Sequence, residues 1–209
     1  MNDITKKGRF IVFEGIDGSG KTTQAKILCK RLLKMNKSVE STKEPTDGYV
    51  GRLIRKALTG EVVLSEQAMS MLFAADRAEH ILCGGGILEK INSGINIVSD
   101  RYYFSSYAYN NNSDLPMDWI IELNRPNRNL IKPDCIVFID IGIDSAMERI
   151  IRNRGKTELY ETKEKLLSVR KKFFEAFDKV DDNVVVVDAD ADINTVSERV
   201  WEKISYLFL

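Results

Sequence analysis

The chain has 209 residues, of which 44% are hydrophobic and 30% are charged, values that are ordinary for one globular domain spanning residues 1–209. Its formal net charge is zero, so no overall field attracts it to nucleic acid or to a membrane surface. No apolar run approaches the roughly 18 residues that span a bilayer. We therefore expect neither nucleic acid nor a membrane among its partners.

The N-terminal residues 1–7 contain no apolar stretch, so we expect no signal peptide. Three widely spaced cysteines, Cys29, Cys83 and Cys135, indicate thiols in a reducing compartment, and we predict a cytoplasmic protein. One histidine, His80, and scattered cysteines cannot build a zinc site. Any metal must therefore be held by oxygen ligands and by the phosphates of a substrate.

Five apolar runs predict strands at residues 10–14, 38–42, 95–99, 135–140 and 184–188. All but the second are continuous rather than alternating, which is typical of strands buried on both faces of a parallel sheet. The second run is more polar, so we expect it at a sheet edge. Helical periodicity fills the intervals, and this alternation predicts a three-layer α/β fold with a roughly five-stranded parallel sheet flanked by helices. Apolar residues predicted to share a helical face are Ile27, Leu28, Leu32 and Met35; Leu166, Val169, Phe173 and Phe177; and Ile193, Val196, Val200, Ile204 and Leu207.

Three consecutive glycines, Gly84, Gly85 and Gly86, interrupt an apolar, helix-like stretch between residues 65 and 91. Each glycine inside a helix costs roughly 1 kcal/mol relative to alanine. Two interpretations stay open: the helix breaks at this point, or close packing against a neighbour demands bare backbone.

Residues 15–22, GIDGSGKT, match the pattern G-x-x-x-x-G-K-[ST] between the first predicted strand and a helical pattern that begins at Thr23. In this setting, free backbone N–H groups and the positive end of the helix dipole face one spot, which suits a polyphosphate. The Lys21 ammonium can reach terminal phosphates, and the Thr22 hydroxyl can ligate Mg²⁺. The residues predicted to bind nucleotide phosphates, which the family resemblance described below assigns to ATP, are Gly15, Ile16, Asp17, Gly18, Ser19, Gly20, Lys21, Thr22 and Thr23.

Charged residues are expected at the carboxyl ends of the strands, where ligands bind in open α/β sheets. We therefore expect Asp17, Glu44, Asp100 and Arg101 to converge. A cation beside the Asp100 carboxylate suits clamping a second anion more than activating water. The alternative is that Asp100 and Arg101 simply pair with each other.

A dense basic segment at residues 148–156 contains Arg149, Arg152, Arg154 and Lys156. Taken alone, such a charge run indicates a solvated helix end. Beside a P-loop it favours catalysis, because phosphoryl transfer needs cations over the transferring group.

The order of these blocks resembles the thymidylate kinase family, the P-loop enzymes that phosphorylate dTMP with ATP. The blocks that carry the resemblance are FEGIDGSGKTT at 13–23, KEP at 43–45, LFAADR at 72–77, DRY at 100–102, SSYAY at 105–109, PD at 133–134 and a lid at about 149–161. Many families share the P-loop, whereas the FAAxR and DRY blocks in this order are far more specific. The resemblance implies ATP, Mg²⁺ and dTMP as ligands, a P-loop NTPase-type fold with a small lid, and a homodimer.

The resemblance also implies roles for individual residues. Arg55 and Arg101 would grip the dTMP phosphate, Phe73 would stack on thymine, and Arg77 would hydrogen-bond the base. Tyr109 would pack where a 2′-hydroxyl would otherwise lie, although Phe73 and Tyr109 could equally be packing residues. The implied substrate-binding residues are Asp17, Glu44, Arg55, Phe73, Arg77, Arg101, Ser105, Ser106 and Tyr109; the implied metal ligands are Thr22 and Asp100.

The P-loop itself contains no arginine, because Gly18 and Ser19 occupy its variable positions. One subgroup of the family places a catalytic arginine in that loop and another supplies it from the lid, and this chain resembles the second. Arg149 and Arg154 are the favoured candidates, with Arg152 less certain. The predicted catalytic residues are Lys21, Asp17, Arg101, Arg149 and Arg154.

These observations predict a dTMP kinase that makes dTDP with ATP and Mg²⁺, a step of dTTP biosynthesis. One alternative is another small P-loop kinase, acting on a different nucleoside monophosphate or on a deoxynucleoside. Another is a P-loop module that senses nucleotide without turnover, although a sensor has no need of arginines that grip a second anion.

Overall fold

The structure is a computed structural model that describes residues 7–154 and 163–209, except for the side chains of residues 153 and 154. Its strands form a parallel sheet in the order β2-β3-β1-β4-β5. The strands are β1 (Phe10–Glu14), β2 (Val39–Lys43), β3 (Asn96–Asp100), β4 (Cys135–Asp140) and β5 (Val184–Asp188). The predicted five-stranded parallel sheet is confirmed, with β2 and β3 each beginning and ending one residue later than predicted.

Helices follow the strands and cover both faces of the sheet. They are α1 (Lys21–Lys34), α2 (Tyr49–Leu58), α3 (Glu66–Leu82), α4 (Ile87–Asn92), α5 (Tyr103–Tyr109), α6 (Met117–Leu130), α7 (Ile143–Arg154), α8 (Lys163–Lys179) and α9 (Ile193–Ile204), with a 3₁₀ turn at Ser205–Leu207. Helices α1 and α9 pack together, and α5 packs against α3, α6 and α8. None of the helices in the described part of the chain combines the length and apolar character needed to cross a bilayer.

The centre of the core lies on β1 and β4, whose apolar residues are buried on both faces of the sheet. Phe138 on β4, for example, packs against the rings of Phe173 and Phe177 on α8. The polar strand β2 lies at one edge, as predicted. β5 forms the other edge, and Val186 is 38% exposed there, so the prediction of burial on both faces was wrong for this strand.

The helix-like stretch breaks at the three glycines. Helix α3 ends at Leu82, α4 begins at Ile87, and Gly85 between them has a φ of +75°, which favours glycine. Close packing contributes only at Gly86, where an added Cβ would lie 2.7 Å from the carbonyl oxygen of Cys83. The first of the two interpretations therefore holds.

The strand order places the carboxyl ends of β1 and β3 side by side. β1 lies between β3 and β4 in the sheet. The chain therefore adds β2 and β3 on one side of β1 and then β4 and β5 on the other side, which reverses the direction of strand addition. A reversal of this kind opens a crevice beyond the strand ends. The glycine-rich loop after β1 and the residues that follow β3 both project into this crevice.

Candidate active site

The loop between β1 and α1 places a buried lysine beneath the crevice. Gly20 ends the loop with a φ of +95°, and α1 begins at the next residue, Lys21. The Lys21 ammonium lies 3.3 Å from the carbonyl oxygen of Ile16 and 3.4 Å from Asp17 Oδ1. Burial, reinforced by Arg101, lowers the pKa of Lys21. Because both contacts are long for hydrogen bonds, the ammonium can exchange them for a stronger anion.

A first cavity of about 600 Å³ lies over this loop. Its lining residues are Asp17, Gly18, Ser19, Gly20, Lys21, Thr22, Thr23, Gln24, Asp100, Arg101, Arg149, Arg152, Ala191, Asp192, Ile193 and Val196. Gly15 and Ile16, at the start of the loop, are buried and do not line it. The concentration of lysine and arginine makes this cavity suitable for a polyphosphate.

Arg149 reaches the loop from α7. Its Nη1 donates to the carbonyl oxygen of Ser19 at 3.2 Å, and its Nη2 donates to that of Ala189 at 3.1 Å. The two bonds hold the guanidinium group beside the glycine-rich loop, where the sequence predicts a cation. Arg152, three residues further along α7, also lines the cavity.

Thr22 and Asp100 meet at one side of the first cavity. The Thr22 hydroxyl donates a hydrogen bond to Asp100 Oδ2, whereas Asp100 Oδ1 is buried with no hydrogen-bond partner among the described residues. A hydroxyl beside an unsatisfied carboxylate oxygen suits a hard cation such as Mg²⁺. Across the residues that the structure describes, no group of three or more His, Cys, Asp or Glu side chains could hold a metal. Such a cation would complete its coordination with water or with substrate phosphates.

A second cavity of about 340 Å³ adjoins the first. Its lining residues are Asp17, Glu44, Pro45, Leu58, Met69, Phe73, Arg77, Arg101, Tyr102, Ser105, Ser106, Tyr109, Asn110 and Lys165. Phe73 and Tyr109 are both half-buried and line the cavity, so neither is a plain core residue. Three aromatic rings and two arginines in one small cavity suit a planar group that carries an anion.

Arg77 is almost completely buried in the second cavity, at 1% side-chain exposure. Its Nε and Nη2 lie 2.9 Å and 2.7 Å from Glu44 Oε2; Nη2 also donates to Ser106 Oγ at 3.2 Å, and Nη1 donates to Asn124. The guanidinium also lies 5.3 Å from the ring centre of Tyr102. Burial is the largest single effect and opposes its charge, but Glu44, Tyr102 and Tyr107 together raise the pKa of Arg77. Nη1 carries two hydrogens, and the described residues give it one acceptor, Asn124.

The two cavities meet at Asp17 and Arg101, which line both. Arg101 Nη2 donates to Asp17, Nη1 donates to Ser105 Oγ at 3.0 Å, and the guanidinium lies 4.9 Å from the ring centre of Tyr109. Asp100 contacts Thr22 instead, so these contacts give no support to a simple Asp100–Arg101 pair. The convergence of Asp17, Glu44, Asp100 and Arg101 that the sequence predicted is present.

Some predicted site residues lie elsewhere. Arg55 lines neither cavity, and its guanidinium group is held by the carbonyl oxygen of Pro45 at 2.9 Å and by Asp47 at 3.0 Å. The side chain of Arg154 and most of the predicted lid lie outside the described residues. The functional roles assigned from the sequence therefore stay predictions, including those of Arg55 and Arg154.

Sequence reasoning missed several residues of the site. In the first cavity these include Gln24 and the segment after β5, where Ile193 is 59% exposed instead of joining the core face predicted for α9. The expectation that ligands lie beyond strand ends could have identified this segment. It also missed Asn124, which contacts Arg77, and Glu14, the acidic residue that ends an otherwise apolar strand.

A parallel sheet with a glycine-rich phosphate loop, a buried lysine and an adjoining cavity that contains arginine defines a P-loop phosphotransferase acting on a small anionic acceptor. The family model described as thymidylate kinase matches residues 13–200. The chain belongs to the thymidylate kinase family, which confirms the resemblance in its motifs.

Relatives of this family span nearly the same length as the chain. A probable thymidylate kinase of Thermococcus gammatolerans is 41% identical over 181 residues, which cover 83% of each protein. A thymidylate kinase of Leptospira interrogans is 33% identical over 197 residues, covering 94% of each. Among solved structures, a thymidylate kinase from Candida albicans matches with a TM-score of 0.81 and 29% identity, covering 96% of this chain and 92% of that one.

Proposed function

We propose that this enzyme transfers the γ-phosphoryl group of ATP, in line, to the 5′-phosphate of dTMP and so forms dTDP. The observation that carries this proposal is the junction of two cavities at Asp17 and Arg101. A donor polyphosphate in one cavity and an acceptor phosphate in the other would meet at these two side chains. The activity is that of the thymidylate kinase family, to which the chain belongs.

The first cavity takes ATP. Lys21 and the loop amides hold its phosphates, and the Arg149 guanidinium offsets charge on the phosphoryl group during transfer. The apolar residues Ile193 and Val196 at the cavity wall give the donor base a surface to pack against.

The second cavity takes dTMP with its phosphate toward the junction. Arg101 grips the phosphate, and Phe73 stacks on the thymine ring. The remaining Nη1 hydrogen of Arg77 donates to a carbonyl oxygen of the base, which favours thymine over a base with an amino group at that position. Tyr109 occupies the space that a ribose 2′-hydroxyl would need.

Thr22 and Asp100 hold Mg²⁺, together with phosphate oxygens of the substrate. When bound, the ion neutralises charge on the phosphates and orients them for transfer. The protein needs no general base, because the acceptor phosphate is already an anion. The rate enhancement therefore comes from positioning and from charge neutralisation by Lys21, Arg101 and Arg149.

The enzyme is a cytoplasmic homodimer in this proposal. Support for the dimer comes from exposed apolar side chains on α2, on α3 and between them: Tyr49, Leu53, Val63 and Met71. Support for the compartment comes from cysteines that form no disulfide. Analytical ultracentrifugation tests the dimer, and a monomer at micromolar concentration would contradict it.

A coupled assay for ADP release tests the activity. We expect release that depends on both Mg²⁺ and dTMP, with much slower release when dCMP, UMP or thymidine replaces dTMP. The variant Lys21→Ala should fold and lose transfer, whereas Lys30→Ala, an exposed position on the same helix, should retain it. Equal release with and without dTMP would contradict the proposal, and so would faster turnover of another acceptor.

A further inference from the structure

Glu14 is a fully buried carboxyl group that the proposed reaction does not use. It ends β1, directly before the glycine-rich loop, and its side chain has no exposed surface. Burial raises its pKa to about 7, against hydrogen bonds that lower it. A buried acid at the base of an active site requires a compensating set of contacts.

Those contacts all lead to the segment that carries the acceptor side of the site. Glu14 Oε1 accepts the backbone N–H groups of Tyr102 at 2.8 Å and Ser105 at 3.1 Å, and Oε2 accepts the Ser105 hydroxyl at 2.6 Å. Ser105 Oγ in turn accepts from Arg101 Nη1 at 3.0 Å. The carboxylate therefore orients the Ser105 hydroxyl so that its lone pairs face Arg101.

The backbone at Arg101 needs such support. Its φ is +75°, a left-handed conformation that non-glycine residues adopt only when their surroundings hold them there. Its N–H donates to the carbonyl oxygen of Phe13 at 2.9 Å, immediately before Glu14, and Glu14 binds the N–H of the next residue, Tyr102. The end of β1 thus holds Arg101 on both sides.

We propose that Glu14 is a positioning residue for the acceptor phosphate, acting through Ser105 and the backbone of Tyr102 to aim the Arg101 guanidinium at the junction of the two cavities. This inference rests on the proposed function, because it takes the ligand of Arg101 to be the dTMP phosphate. It also links donor and acceptor, since the strand that positions the phosphate loop fixes the acceptor arginine.

The test compares binding of dTMP with binding of thymidine, which lacks the phosphate, by isothermal titration calorimetry. The variants are Glu14→Ala, Glu14→Gln and Ser105→Ala. The control is Asp182→Asn, because Asp182 is also a buried carboxylate bonded to α5, through the Tyr103 hydroxyl at 2.6 Å, but it lines neither cavity.

We expect Glu14→Ala to weaken dTMP binding by about tenfold or more while thymidine binding changes by less than about threefold. Glu14→Gln should lose less than Glu14→Ala, because the amide oxygen can still accept both backbone N–H groups. Both residues act on one guanidinium. The loss of dTMP binding free energy in the double variant Glu14→Ala/Ser105→Ala should therefore be smaller than the sum of the losses in the two single variants. Asp182→Asn should lower the melting temperature without changing the ratio of the two affinities.

Equal losses for dTMP and thymidine in the Glu14 variants would overturn the inference, because a purely structural role weakens both ligands alike. If Glu14→Ala does not fold, Glu14→Gln decides alone, and an unchanged affinity ratio in that variant would overturn the inference. The proposed function fails separately, if the parent protein itself binds dTMP no better than thymidine.

Discussion

Glu14, which ends β1, and Lys21, which begins α1, are buried ionisable groups whose pKa values are moved in opposite directions by the same cause. Burial disfavours the charged form of either group, so it raises the pKa of the acid and lowers that of the base. Lys21 is partly compensated by Asp17 and Asp100, which favour its charge. Because Glu14 accepts three hydrogen bonds and its pKa is raised far above its ordinary value, it gives a sharp test at the scale of a single residue.

Stability should fall with rising pH because of Glu14. Its pKa is about 7 in the folded protein against 4.5 ordinarily, so between these values the folded state holds a proton that the unfolded chain has released. The free energy of unfolding therefore decreases as pH rises through this window, by about 3 kcal/mol in total. Glu14→Gln has no proton to lose. Urea denaturation at pH 5 and pH 8 should show a smaller decrease for Glu14→Gln than for the parent protein, and equal decreases would contradict the raised pKa.

At the scale of elements, α3 carries the two side chains that we propose contact the base. Phe73 and Arg77 are four residues apart, so they lie on one face of the helix and both reach the second cavity. Helix α7 serves the first cavity in the same way, because Arg149 and Arg152 are three residues apart and both line it.

Phe73→Ala should weaken dTMP binding by about 1–3 kcal/mol, the usual contribution of an aromatic ring stacked on a base. ATP binding should hardly change, because Phe73 lines only the second cavity. Calorimetric titration with each ligand measures both effects. Equal losses for the two ligands, together with a lower melting temperature, would instead indicate a packing role.

Arg149→Ala should lower kcat by about 10³–10⁵ while raising KM for dTMP much less, because a cation over the transferring group acts mainly in the transition state. Glu148→Ala, at the exposed neighbouring position, is the control and should stay near the parent. A kcat within a few-fold of the parent for Arg149→Ala, Arg152→Ala and Arg154→Ala, and for the triple variant, would identify this segment as a solvated helix end.

At the scale of the whole molecule, the second cavity depends on an ion pair that joins distant parts of the chain. Arg77 on α3 bonds to Glu44 after β2, to Asn124 on α6 and to Ser106 on α5. Glu44 also contacts the ring of His80 at 3.1 Å. The proposed substrate recognition by Arg77 and the packing of these four segments therefore depend on the same contacts.

Glu44→Gln should lower the free energy of unfolding by about 3–5 kcal/mol, because it leaves the buried Arg77 charge without its carboxylate. Asp47→Asn is the matched control: Asp47 is 79% exposed and pairs with Arg55, so its loss should cost about 0–1 kcal/mol. Chemical denaturation of the two variants measures the difference. Similar small losses in both would show that Arg77 is compensated by its other contacts.

Much of the fold could be predicted because its signals are local. Continuous apolar runs identified four of the five strands, and the glycine-rich loop was evident from its spacing and position after β1. The predictions of burial failed where burial depends on contacts with residues that are distant in the sequence. Val186 has the composition of a buried strand but lies at an edge, and Ile193 continues an apolar helical face but lines a cavity.

The sequence by itself determined the phosphate loop, the parallel sheet and the family, because each depends on short motifs in a fixed order. Tertiary structure alone decided that Asp17 and Arg101 join two cavities, that Arg55 pairs with Asp47 away from them, and that Glu14 lies beneath Arg101. These contacts link residues separated by as many as 91 positions, as for Glu14 and Ser105. No local pattern encodes such distances, because they follow from the order in which the strands are arranged in the sheet.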